Sequence, residues 1–131
     1  MNTQYPFDDM PVIYSYTRKQ AIDDGVLVDL TKWARETGFT IPVACTAAVW
    51  HQYIVPPEAV NGFGQSVRGP AHDMLWMLWV AIKRSQSGDR LMFDVIFLQT
   101  PGEHVTVTLK SICGPGDDAE PVITILLPNE D

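Results

Sequence analysis

Cys45, His51, His72, His104 and Cys113 are the side chains of this chain best suited to metal ligation or nucleophilic chemistry. A structural zinc site draws its ligands from closely spaced Cys and His, and no CxxC, HxxH or HExxH spacing is present. We therefore expect no metal and no cofactor. A nucleophilic pair of Cys45 or Cys113 with His72 would need a thiolate beside a base in an electropositive setting, and the local sequence supplies neither. No catalytic residue is assigned. Cys113 is expected to end a strand and Cys45 to fill core, the usual place of a free cysteine.

The segment GFGQSVRG (62–69) resembles a phosphate cradle only in its glycines. A dinucleotide fingerprint would follow a buried strand and open directly into a helix, whereas Pro57, Glu58 and Asn61 precede this one. Arg68 beside exposed amides could still hold an anion, and His72 and Asp73 stand next in line at the start of the following helix. These three form the candidate ligand site, with dipole stabilisation as the local alternative for Asp73. A cleft gathering Arg68, His72 and an acid would favour an enzyme. Asp94, set among apolar residues, reads best as a cross-strand partner of Lys110. Asp23, Asp24 and Asp29 read as solvated acids at a helix end.

Charge narrows the partners. The 131 residues carry a net charge of −7, and the pI is 4.7. Binding of nucleic acid through phosphate contacts needs clustered Lys and Arg, and here the only adjacent ones are the short pairs Arg18–Lys19 and Lys83–Arg84. The N-terminal MNTQYPFDDM lacks the basic and apolar regions of an export signal, so a cytoplasmic protein with reduced cysteines is expected.

The length suits one domain over 1–131, with an irregular arm over 1–11 interrupted by Pro6 and Pro11. VIYSY (12–16) has the composition of a short strand. Thr17 and Gln20 predict a capping box, with Gly25 as the stop. VLVDL (26–30) is strand-like. Thr31 is expected to cap a second short helix that Gly38 ends. FTIPVAC (39–45) has β-formers with Pro42 at an edge or end, and Thr46 caps a helix over 47–54. The Pro- and Gly-rich 56–70 is the main loop, and Pro70 suits the first turn of a helix over about 71–86.

LMFDVIFLQT (91–100), HVTVTLKSI (104–112) and PVITILLP (121–128) alternate with period two and predict an antiparallel meander. A three-residue turn over 101–103 would pair Phe97 with Val107, Val95 with Leu109 and Asp94 with Lys110. The meander needs a covering layer. Met74 to Ile82 is an unbroken run of nine apolar residues, about 13.5 Å of helix against a bilayer core of ~30 Å. It cannot span a membrane. The predicted fold is α+β, with Leu75, Leu78, Trp79 and Ile82 facing the meander and short N-terminal helices outside. Trp76, Met77 and Val80 are then the test residues. Covered by those helices they are core; exposed, they are the partner-binding patch.

YSYTRKQAIDDGVLVDL (14–30) followed by ARETGFTIPVACTAAVW (34–50) resembles a family of small uncharacterised bacterial proteins, a domain of unknown function found on plasmids, prophages and integrated elements. The resemblance implies no catalytic residue. It implies an accessory protein of mobile DNA, a setting in which small proteins often interfere with host defence. The expected function is non-enzymatic protein binding, with a homodimer as a further prospect. The alternative is a small enzyme or anion-binding domain, its site between the 56–70 loop and the following helix.

Overall fold

The computed structural model of the chain describes residues 16–55, 67–85, 88–100 and 102–130. The arm expected over 1–11, the strand over 12–16 apart from Tyr16, and residues 56–66 of the long loop lie outside them. The elements are α1 (Arg18–Asp23), β1 (Leu27–Asp29), α2 (Thr31–Thr37), β2 (Val43–Thr46), α3 (Ala47–Val49), a π-helical turn over Trp50–Ile54 that continues α3, α4 (Arg68–Arg84), β3 (Arg90–Thr100), β4 (Glu103–Pro115) and β5 (Pro121–Leu126). No helix among the described residues is long and apolar enough to cross a membrane.

The α+β class is as expected, but the sheet is larger. β3, β4 and β5 form the predicted antiparallel meander within a five-stranded mixed sheet of order β1-β2-β5-β4-β3. β2 joins it parallel to β5, with Val43 beside Ile123 and Cys45 beside Ile125. β1 pairs antiparallel outside β2. Pro42 sits just before β2, where its missing N–H costs nothing, and its carbonyl accepts Ile123 N–H at 2.9 Å.

The hairpin register differs from the three-residue turn. Thr100 pairs with Glu103, and an irregularity between Leu98 and Thr100 then shifts the ladder, so that Phe97 faces Val105, Val95 faces Val107 and Phe93 faces Leu109. Asp94 therefore faces Thr108, whose hydroxyl donates to it at 2.6 Å. Lys110 instead donates to the carbonyls of Pro128 and Glu130. A bulge adds one residue without a hydropathy signature, so strand alternation alone could not place it.

Phe93, Val95, Phe97, Leu109 and Ile125 project from one sheet face into the core, against Ala71, Met74, Leu75 and Leu78 of α4. The buried stripe of α4 is thus rotated from the expected one. Met74 is fully buried, while Trp79 turns toward α2, edge-on to Phe39 at 5.4 Å between ring centroids. Gly38, at φ 129°, lets that ring approach: a Cβ there would lie 3.3 Å from the Trp79 side chain. The N-terminal helix α2 consequently packs beside α4, against its Trp79 side. It does not lie over α4, and no described residue covers the far side of α4.

Local capping largely follows the sequence. Thr17 and Gln20 form the capping box of α1, and Thr46 caps α3 through Val49 N–H. Thr31 does not cap α2; its hydroxyl donates to Asp29 at 2.6 Å and accepts Val43 N–H at 3.2 Å, tying β1 to β2. α1 is also capped from 99 residues away: Asp117, in the β4–β5 turn, accepts Arg18 N–H at 2.7 Å and Lys19 N–H at 3.0 Å. The Arg18 guanidinium reaches back to Thr124 Oγ1 at 2.7 Å and Ile123 O at 2.8 Å.

The two backbone donors hold the Asp117 carboxyl below its ordinary 3.8. A depressed folded-state value means stability that is fully present above the unfolded value and lost as pH falls through the folded one. Asp117→Asn should therefore lower Tm at pH 7, and its difference from wild type should shrink as pH falls below about 3.8. A Tm difference that does not change with pH contradicts this cap.

Candidate functional site

The candidate ligand residues divide between two sides of α4. Arg68 and His72, one helical turn apart, both turn toward Glu36 on α2. Arg68 Nη2 donates to Glu36 Oε1 at 2.8 Å. His72 Nε2 lies 3.1 Å from the same oxygen, yet it is buried and has no hydrogen-bond partner among the described residues, so the contact is a close approach off hydrogen-bond geometry. The His72 ring also packs against Trp33, with centroids 6.2 Å apart. An acid does meet Arg68 and His72, but its carboxylate stands where an anionic ligand would have to bind. The arrangement braces the start of α4 on α2. Residues 56–66, part of the loop named in the expected site, lie outside the described residues.

Asp73 is separate from this cluster. Because α4 begins at Arg68, Asp73 falls beyond its first turn, where the dipole argument made for it fades. It lies instead on the opposite side, in a groove of about 450 Å³ with Trp76, Met77, Asp94, Ile96 and His104. A second groove, of about 500 Å³, continues along the same side between Met77, Val80 and Arg84 of α4 and Arg90 to Asp94 of β3.

The three partner-binding candidates lie on this open side. Trp76 is 54% exposed and Met77 38%, while Val80 is partly buried. Beside them Met92 and Ile96, 54% and 58% exposed, project from the outer face of β3. An apolar surface of this kind is unusual on a small acidic domain. The β3 contribution was missed by the sequence reading, although a signal exists: LMFDVIFL is apolar at most positions of both parities, whereas a strand with one solvated face alternates cleanly.

The remaining chemistry-bearing residues do not assemble. No group of three metal-ligating side chains occurs among the described residues. Asp23 pairs with Lys19, Asp24 accepts the Tyr16 hydroxyl, and Asp29 receives Thr31. Cys45 is fully buried in β2, and burial, with help from Glu130, pushes its thiol up to about 12. Cys113 is partly buried within β4, which runs on to Pro115, so it does not end the strand.

A thiol reagent applied to the native protein at pH 8 should therefore modify at most Cys113, with Cys45 reacting only on unfolding. Modification of Cys45 in the folded state contradicts its assignment as inert core. No curated protein and no solved structure matches the chain. The family of unknown function DUF6573 matches it over residues 1–131, and the chain belongs to that family.

Proposed function

We propose that the protein is a non-enzymatic, protein-binding accessory factor that acts through the open side of α4 and the grooves beside it. The observation that carries the reading is Trp76, half-exposed next to Met77 with no covering element among the described residues. Tryptophan is enriched at interfaces because its rigid ring buries a large area, methionine because its flexible thioether fits irregular surfaces, and a buried tryptophan is a frequent hot spot. The net charge of −7 favours a partner with a basic surface, since long-range attraction raises the encounter rate. With the sequence resemblance, this supports a cytoplasmic bacterial or phage protein of a mobile element, acting as a counter-defence inhibitor of the anti-CRISPR or anti-restriction type.

The competing reading, an anion or nucleotide site at Arg68 and His72, is weakened by Glu36, whose carboxylate already pairs with Arg68 and lies against His72. The two readings separate in one comparison. Tagged wild-type protein should retain a specific protein from host lysate, and Trp76→Glu should reduce that capture at least tenfold while leaving Tm near wild type, because Trp76 is exposed. Capture that survives Trp76→Glu overturns the proposal. Saturable phosphate or nucleotide binding that disappears in Arg68→Ala would establish the competing site.

A further inference from the structure

We propose that the first occupant of this face is a second copy of the chain, joined by antiparallel pairing of β3 with the partner's β3 about a two-fold axis at Met92. The inference rests on reading the open side of α4 as a protein-binding face, and it adds a second copy of the chain at the β3 edge to the basic-surfaced partner proposed for Trp76. β3 is the outermost strand of the sheet, and among the described residues nothing pairs with its outer side. Over its 11 residues it has neither the proline nor the lysine that commonly blunt an edge.

The ladder shows which backbone groups are open. Cys113 N–H donates to Asp89 O at 2.7 Å, so Asp89 and Cys113 are a hydrogen-bonded pair. Such pairs alternate along an antiparallel ladder, which makes Leu91/Ser111, Phe93/Leu109 and Val95/Val107 the bonded pairs that follow. Arg90, Met92, Asp94 and Ile96 therefore turn their N–H and C=O groups toward the free edge. A second β3 can satisfy them only if even-numbered residues face even-numbered residues.

Charge selects one register among those allowed. With Met92 facing the partner's Met92, Arg90 faces the partner's Asp94, and symmetry makes that pair twice. Moving the axis one residue, to Phe93, would set Arg90 against Ile96 and Met92 against Asp94, each a charged residue opposite an apolar one. Arg90 has no ion pair among the described residues, and Asp94 accepts Thr108 through Oδ1, which leaves Oδ2 open.

α4 reports the same axis independently. Asp73, Met77, Val80 and Arg84 recur at i, i+4, i+7 and i+11, a single stripe on the β3 side of the helix. Asp73 lines the first groove with Val95 and Ile96, and Arg84 lines the second with Arg90 and Leu91, so α4 runs antiparallel to β3. A two-fold axis near Met92 then passes close to the midpoint of the stripe. It sets Met77 against the partner's Val80 and Asp73 against the partner's Arg84, again twice. Two charge patterns, separate in sequence, are self-complementary about one axis.

Size-exclusion chromatography with light scattering should show a wild-type dimer at micromolar concentration. Arg90→Asp and Asp94→Arg should each weaken self-association roughly tenfold or more, by placing like charges opposite each other, and the double variant should restore it. In a Cys113→Ser background, Met92→Cys should oxidise to a covalent dimer, since facing Cα atoms of a bonded pair lie about 5.5 Å apart, within disulfide range. Ile96→Cys, facing the partner's Gly88 in this register, should not. A monomeric wild type, a dimer indifferent to both charge reversals, or crosslinking through Ile96→Cys instead of Met92→Cys overturns the proposal. A monomeric wild type leaves the Trp76 capture assay to decide the broader reading on its own.

Discussion

The parallel pairing of β2 with β5 is the contact on which the rest of the structure depends. It inserts a four-residue strand from the N-terminal half beside the last strand of the chain. Parallel neighbours cannot be joined by a tight turn, so everything between Thr46 and Pro121 must fold around this contact. α3, α4 and the β3–β4 hairpin are the path between them. The residues that flank the pairing serve it: Thr31 and Asp29 tie β1 to β2, and Pro42 completes the ladder with its carbonyl. Arg18 and Asp117 clasp α1 to the β4–β5 end of the same region. Val43, Ala44 and Cys45 have no exposed surface, which suits a strand covered on both faces.

With β2 in place, helices α2 and α4 lie side by side on one sheet face, and among the described residues nothing lies upon one side of α4. Trp79 and Gly38 fill the seam between the two helices, and Glu36 draws Arg68 and His72 across it. The residues that looked most like a ligand site are thereby engaged in holding two helices together. Among the described residues, what stays open is the opposite side of α4 and the edge strand below it, an apolar surface with acidic and basic residues at its ends. Surface of that composition suits a macromolecular partner better than a small anion.

Much of this was legible in the sequence where the determining interactions are local. Thr17 with Gln20, Thr46, Gly38 and the alternation in β3, β4 and β5 each announced an element. The α+β class and the central helix followed from them. The sheet order did not, because VLVDL and VACT pair with partners chosen by tertiary contact and not by any adjacent signal. The helix rotation failed for a related reason. In a run apolar at nine consecutive positions, periodicity cannot say which stripe is buried, and Met74 displaced Trp79 from the sheet side. At the site, Arg68 and His72 could be named, but Glu36 lies 32 residues before Arg68 and carries no motif. Trp76, Met77 and Val80 could be named as either core or surface but not decided between them, because exposure is set by how α2 packs, and the neighbouring edge strand went unread.

If a second copy covers that edge, its imprint lies in the backbone amides of β3. Hydrogen exchange at Met92 and Asp94 reports it directly, because their N–H groups face away from β4 and no strand among the described residues pairs with that side. The account predicts slow exchange at both amides in concentrated wild-type protein, with protection lost on dilution and in Asp94→Arg. Fast exchange at Met92 and Asp94 at every concentration, beside a protected Phe93 and Val95, would contradict it.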